Sequence, residues 1–142
     1  MIKKRLKISK KDKALLKYVF NQCKKYQEKY HYFGDDLCGL CAIASKALQQ
    51  LMNSEGLHVE VVIGEVGTTD HCWVRSHRKV YDPTATQLGF GGPKVFSIKE
   101  SHRYGYKQVR KFTTIQSVRK DFNDWPENQI PYKKTIKKFL SL

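Results

Sequence analysis

The segment Cys38-Gly39-Leu40-Cys41-Ala42-Ile43-Ala44-Ser45 decides the fold, because it leads two cysteines into an apolar helical pattern. The spacing of the apolar residues predicts a helix from about Leu40 to Asn53, and Gly56 is a suitable C-terminal stop. A cysteine in the first turn of a helix lies where the helix macrodipole and free backbone N–H groups favour the thiolate, which is the nucleophilic form. Cys41 is therefore the candidate nucleophile.

After Gly56 the pattern changes from helical to extended, and three strands are predicted. The first covers His58–Gly64, and the turn Gly67–Asp70 leads into the second, His71–Arg75. A short break separates this strand from the third, Arg78–Asp82. Strands joined this closely form a hairpin, so the last two are expected to pair.

The register of that hairpin predicts which side chains meet. If Ser76-His77 is a two-residue loop, the expected facing pairs are Arg75 with Arg78, Trp73 with Val80, and His71 with Asp82. Facing residues share one face of the sheet. His71 and Asp82 are therefore expected to interact.

Cys41, His71 and Asp82 together have the composition of a nucleophile, base and orienting group. A histidine on the adjoining strand can take the thiol proton, while a carboxylate opposite it can hold Nδ1–H and fix the tautomer. Each residue also has a structural interpretation: a buried thiol for Cys41, a packed histidine for His71, and a turn begun by Asp82-Pro83. The joint pattern favours catalysis.

The flanks supply further elements. Ser9 followed by Asp12 resembles a capping box at the start of a helix that runs to about Tyr30, with Cys23 on its apolar stripe as a core residue. The other expected elements are strands at Lys94–Ile98 and Tyr106–Thr113 and helices at Ile115–Phe122 and Tyr132–Leu140. We expect one domain over residues 1–142: a basic N-terminal helix within 1–31, a catalytic core segment at 37–88, and a basic C-terminal helix at 132–142.

Charge is distributed unevenly along the chain. Lysine and arginine number 27 against 13 acids, a formal net charge of +14. Residues 1–30 carry eleven bases and two acids, whereas residues 31–71 carry six acids and one base. Basic flanks can steer an acidic protein, a nucleic acid or an anionic surface to the molecule. With no apolar segment behind the basic N-terminus and no stretch long enough to span a membrane, we expect a cytoplasmic protein.

The core segment resembles the transglutaminase-like superfamily within the broader papain-like fold. A cysteine that opens a helix, a strand with His-x-Trp-Val (residues 71–74), and Val-Tyr-Asp-Pro-Thr-Ala-x-Gln (residues 80–87) carry the resemblance, which covers about residues 37–88. Cys38-Gly39-Leu40-Cys41 is similar to the nucleophile segment of papain-type proteases. Those proteases place their histidine more than a hundred residues later, whereas only thirty separate Cys41 from His71.

The resemblance implies an α+β fold in which the nucleophile helix packs against an antiparallel sheet. It implies acyl transfer through a thioester, with Cys41 as nucleophile, His71 as base and then acid, and Asp82 as orienter. A peptidase acting on a peptide or protein substrate is favoured, and a glutamine deamidase or a transglutaminase is the alternative. No cofactor or metal is expected.

An oxyanion donor is less clearly marked. The backbone N–H of Cys41 is one expected donor, and Trp73 and Gln87 are candidates for the second. Papain-like enzymes place a donor side chain six positions before the nucleophile. That position here is Asp35, which cannot donate when it is ionised.

Two other functions compete with catalysis. Cys38, Cys41, His71 and Cys72 have the chemistry of zinc ligands. However, adjacent strand residues point to opposite faces, so His71 and Cys72 are not expected to converge on one ion. The second competitor is a binding module without catalysis, in which lysines between Lys3 and Lys29 hold a nucleic acid or an acidic protein.

Overall fold

Helices and a single sheet make up the described part of the chain, as expected for an α+β protein. The computed structural model describes residues 2–30, 40–111 and 132–142. In chain order these residues form α1 (Ile2–Tyr30), α2 (Cys41–Ser54), β1 (Glu60–Val66), β2 (Thr69–Arg75), β3 (Lys79–Asp82), a 3-10 helix (Ala85–Leu88), β4 (Lys94–Ser97), α3 (Ile98–Arg103), β5 (Tyr106–Lys111) and α4 (Tyr132–Leu140).

The five strands form one antiparallel sheet in the order β4-β3-β2-β1-β5. The larger core joins one face of the sheet to α1, α2 and α4, and Cys23 is part of it as predicted. A smaller core, formed mainly by aromatic and β-branched side chains, covers the other face: Val62, Trp73, Val80, Phe96 and Tyr106. Both faces of the sheet are therefore buried, and the helix that begins at Cys41 packs directly on β2.

The first helix is longer than the sequence predicts. It begins at Ile2 and continues through Ser9, so the expected cap at Ser9 is wrong. Residues 2–8 include neither Gly nor Pro and are rich in good helix formers, so nothing in them ends a helix. Asp12 has a different role: it is buried, accepts a hydrogen bond from Tyr81 Oη at 2.7 Å, and lies 3.5 Å from Lys79 Nζ. It therefore ties α1 to β3.

The β2–β3 hairpin forms, but its loop lies one residue later than predicted. His77-Arg78 is the loop, because the Ser76 N–H donates to the Lys79 carbonyl at 2.9 Å. The Ser76 hydroxyl also accepts the N–H groups of Arg78 and Lys79. The observed pairs are Val74 with Tyr81 and Arg75 with Val80, so the predicted facing pairs Arg75–Arg78, Trp73–Val80 and His71–Asp82 are wrong. When the loop moves by one residue, each residue faces a partner two positions later than predicted. Because side chains alternate with a period of two, every side chain stays on its predicted face.

Other elements agree with the sequence or add to it. Gly56 has φ of +83°, as a stop after α2 requires, and α4 has the predicted bounds. The sequence analysis did not predict the 3-10 helix or α3, although Ser97 and Glu100 form a complete capping box at the start of α3. The predicted helix Ile115–Phe122 lies outside the described residues. Among residues 2–30, 40–111 and 132–142, no helix is long and apolar enough to cross a membrane.

Gly64 has no space for a side chain, and this gives a prediction about stability. A Cβ on Gly64 would overlap the Lys107 carbonyl and the Trp73 indole. We expect Gly64→Ala to lower the free energy of unfolding by roughly 1–3 kcal/mol through overpacking. Urea unfolding followed by tryptophan fluorescence would measure the loss.

Gly91→Ala is the matched control, because a Cβ at Gly91 would meet nothing within 4 Å. Its unfolding free energy is expected to stay within about 0.5 kcal/mol of the parent protein. Equal losses in the two variants would contradict this account of Gly64.

Candidate active site

The candidate site lies at one end of the sheet, where several elements begin or end together. His71 is near the start of β2 and pairs with Gly64 near the end of β1. Asp82 is the last residue of β3, and Tyr106 is the first residue of β5. Antiparallel pairing brings these positions to the same end of the sheet, and the N-terminus of α2 delivers Cys41 to it.

Cys41 lies in the first turn of α2 as the sequence predicts, although the helix begins at Cys41, one residue later than expected. Leu40 is the N-cap, and its carbonyl accepts the Ala44 N–H at 2.9 Å. The N–H groups of the first turn have no acceptor within the helix and point out of its N-terminus. Cys41 is 6% exposed, and its side chain lies close enough to His71 to raise the pKa of the imidazole. The thiol therefore lies at the N-terminus of α2 and beside the imidazole.

His71 and Asp82 form a buried pair. His71 Nε2 lies 2.8 Å from Asp82 Oδ2, and both side chains are almost fully inaccessible to solvent. The sequence predicts that Nδ1 faces the carboxylate, but in the structure Nε2 does so. Asp82 bonds to the imidazole from the end of β3, and Cys41 lies near the same ring from the start of α2.

Asp82 is held by two further residues that the sequence analysis did not identify. Tyr106 Oη donates to Asp82 Oδ2 at 2.7 Å. Thr84 donates its N–H to Oδ1 at 3.0 Å and its hydroxyl to the same oxygen at 3.4 Å. The Thr84 contacts are those of an Asx turn, which Asp82-Pro83-Thr84 could have indicated. Asp82 thus starts a turn with one oxygen and orients His71 with the other.

The electrostatic surroundings of His71 favour its protonated form. Burial lowers the pKa of His71, but the charge of Asp82, the hydrogen bond to it, and Cys41 outweigh that effect and raise the pKa to about 10. A protonated imidazole beside a cysteine can act as a general acid toward a leaving group. The arrangement can therefore present a nucleophile and a proton donor to the same amide group of a substrate.

Trp73 covers the His71–Asp82 pair. Its ring stacks on His71 with centroids 6.3 Å apart, and Tyr106 meets it edge-on at 5.1 Å. This aromatic cover excludes water from the carboxylate and imidazole, which strengthens their attraction. Gln87 lies on the 3-10 helix that follows Thr84. The roles of Trp73 and Gln87 as oxyanion donors stay predictions, and Asp35 lies outside the described residues.

The remaining cysteines differ from Cys41 in their surroundings. Cys23 and Cys72 are free thiols within the larger core, where burial, followed by the charge of Cys41, raises the pKa of each. Cys72 packs in the core between the sheet and the helices, whereas the side chain of its neighbour His71 hydrogen-bonds to Asp82. In the described part of the chain, no three His, Cys, Asp or Glu side chains are placed to hold a metal ion. Cys38 lies outside that part.

The raised pKa of His71 predicts how stability depends on pH. The folded pKa of about 10 lies above the ordinary histidine pKa of 6.5, so the stabilisation is fully present below pH 6.5 and is lost as pH rises toward 10. We expect the free energy of unfolding to fall by roughly 1–2 kcal/mol between pH 6 and pH 8. Urea unfolding at several pH values would measure it.

His71→Gln is the control for this pH effect, because it removes the titrating group. The decline between pH 6 and pH 8 should be largely absent in that variant. This pH range ends below 9.0, the ordinary cysteine pKa, and burial raises the folded pKa values of Cys23 and Cys72 further, so neither thiol contributes to the decline. An equal decline with and without His71 would contradict the assignment.

Comparison with known proteins identifies no relative of this chain. A scan against protein-family models and searches of curated proteins and of solved structures find no match to this chain.

Proposed function

We propose that this protein is a cysteine-dependent acyl-transfer enzyme that hydrolyses amide bonds in a peptide or protein substrate. The observation that supports the proposal best is the buried pair His71 Nε2–Asp82 Oδ2 at 2.8 Å, beside a cysteine that opens a helix. A cysteine–histidine pair with a third residue that orients the base is the arrangement nucleophilic catalysis requires. The similarity of residues 37–88 to the transglutaminase-like superfamily supports the same chemistry.

The proposed reaction proceeds in two halves. The Cys41 thiolate attacks the carbonyl carbon, and the His71 imidazolium gives its proton to the leaving amine as the C–N bond breaks. The resulting thioester is attacked by water, whose proton passes to His71, and the acid product leaves as the thiolate re-forms. We assign the Cys41 N–H as a donor that stabilises the oxyanion of each tetrahedral intermediate.

The basic surface suits an acidic substrate. Exposed lysines are spread along the described parts of α1 and α4: Lys11, Lys13, Lys17, Lys24, Lys25, Lys29, Lys134, Lys137 and Lys138. The exposed acid on the described part of α1 is Glu28. Such a surface raises the association rate of an acidic polypeptide more than the rate of chemistry.

Mass spectrometry of candidate substrates after incubation tests the reaction type. A set of acidic and basic peptides, each containing glutamine, would be incubated with the parent protein and with Cys41→Ala. Cleaved chains produced by the parent alone support the proposal. The small mass gain of an amide-to-acid change at glutamine would indicate a deamidase instead, and joined chains would indicate a transglutaminase. A thiol-directed peptide probe that never forms an adduct with Cys41 would contradict acyl transfer.

A further inference from the structure

Two donors share one oxygen of Asp82. Tyr106 Oη lies 2.7 Å from Asp82 Oδ2, and His71 Nε2 lies 2.8 Å from the same atom. Tyr106 is 3% exposed and Asp82 is fully buried, so water does not compete for this oxygen. Oδ1 is occupied separately by the N–H and hydroxyl of Thr84. The Tyr106 hydroxyl and the His71 ring therefore divide the hydrogen-bonding capacity of Oδ2.

The Tyr106 ring is fixed by its neighbours. Trp73 packs against it with centroids 5.1 Å apart, and Phe96 packs against it at 5.4 Å. Its backbone pairs with Val66 at the end of β1, directly after the turn at Gly105, which has φ of +84°. A ring held on several sides delivers its hydroxyl to a defined point, because rotation would disrupt this packing.

We propose that Tyr106 is a positioning residue, whose hydroxyl holds Asp82 Oδ2 in place and limits how strongly that carboxylate binds the His71 imidazolium. This inference rests on the proposed function. A neutral hydroxyl stabilises a buried carboxylate without adding charge, and its dipole reduces the negative potential that reaches His71. An imidazolium bound less tightly transfers its proton to the leaving amine more readily.

Other titratable groups around the pair do not replace this effect. Cys41 of α2 interacts with His71, and Cys23 of α1, Cys72 of β2 and Tyr106 of β5 all interact with Asp82. Burial and Asp82 together raise the pKa of Tyr106 above its usual range, so its hydroxyl keeps its proton. Of these groups, Tyr106 is the neutral donor bonded to the oxygen that His71 uses.

Tyr106→Phe is the test, because it removes the hydroxyl and keeps the ring. We expect the pKa of His71, followed by NMR titration of its ring, to rise relative to the parent protein. On any substrate that the parent turns over, we expect kcat to fall on the order of tenfold with little change in KM, the effect of one hydrogen bond to a charged group. A folded variant with an unchanged or lowered His71 pKa would overturn the proposal.

Tyr104→Phe is the matched control. Tyr104 belongs to the same aromatic cluster, with its ring 5.0 Å from Phe96, but it is 53% exposed. Removal of its hydroxyl should leave both the His71 pKa and kcat unchanged. An equal change in both variants would assign the effect to the cluster and overturn the role of Tyr106.

A measurement on the native protein is independent of whether the variant folds. The Tyr106 hydroxyl proton, bonded to a buried carboxylate, should exchange slowly with solvent and be visible by NMR. Rapid exchange in the folded protein would overturn the proposal. The proposed function fails if the parent protein turns over no substrate. The His71 titration and the hydroxyl exchange need no substrate, so they test the role of Tyr106 even in that case.

Discussion

Cys41→Ala is expected to abolish acyl transfer while changing the free energy of unfolding by no more than about 1 kcal/mol. The thiol is small and lies at a helix terminus, so its removal leaves the core packing of α2 nearly intact. Among the cysteines that the structure describes, Cys23 and Cys72 are not substitutes for Cys41, because both are fully buried thiols whose pKa values are raised. Turnover of a cleaved peptide, together with urea unfolding, measures both effects.

Alkylation tests the same assignment without a substrate. Iodoacetamide at mildly acidic pH should label Cys41 before the other cysteines, and His71→Ala should slow that labelling by removing the partner of the thiolate. Cys23→Ala and Cys72→Ala are controls that should leave the labelling rate unchanged. Cys38→Ser should retain most activity. Preferential alkylation of Cys38, with Cys38→Ser inactive, would move the nucleophile to Cys38.

Asp82→Asn is expected to lower kcat on the order of 10³–10⁴-fold, by analogy with orienting carboxylates in serine triads. The sequence alone suggests that the fold would be unaffected, but the buried contacts imply a cost in stability as well. Both oxygens of Asp82 accept hydrogen bonds, from His71 and Tyr106 at one and from Thr84 at the other. An amide must turn its NH₂ group toward one set of donors, which we expect to cost roughly 1–3 kcal/mol of unfolding free energy.

Asp12→Asn separates the two effects, because Asp12 is another buried carboxylate bonded to a tyrosine hydroxyl. Its partner is Tyr81, at 2.7 Å, and it lies 3.5 Å from Lys79 Nζ, outside the His71–Asp82 pair. This variant should lose stability and keep its kcat. Unchanged turnover in a folded Asp82→Asn protein would remove Asp82 from the mechanism and leave a Cys41–His71 dyad.

Local patterns in the sequence determined much of the candidate site. The start of α2 at Cys41 follows from the apolar spacing after it, because helical periodicity is a property of neighbouring residues. The shared face of His71 and Asp82 follows from the alternation of side chains along a strand, so it survived an error in the loop position. The turn after Asp82 likewise depends on Asp82-Pro83-Thr84 alone.

Contacts between distant elements were decided by the tertiary structure. Tyr106 reaches Asp82 across 24 positions of the chain, and Asp12 reaches Tyr81 across 69. Neither contact follows from a periodic pattern in the sequence. The Tyr106 contact depends on where β5 joins the sheet, and the Asp12 contact depends on how α1 packs against it. The same packing turns Nε2 of His71, not Nδ1, toward Asp82. The sequence by itself determined, through local periodicity, that Cys41 lies in the first turn of α2 and that His71 and Asp82 share one face of the sheet. The tertiary structure decided which atoms meet, because only packing fixes the relative placement of separate elements.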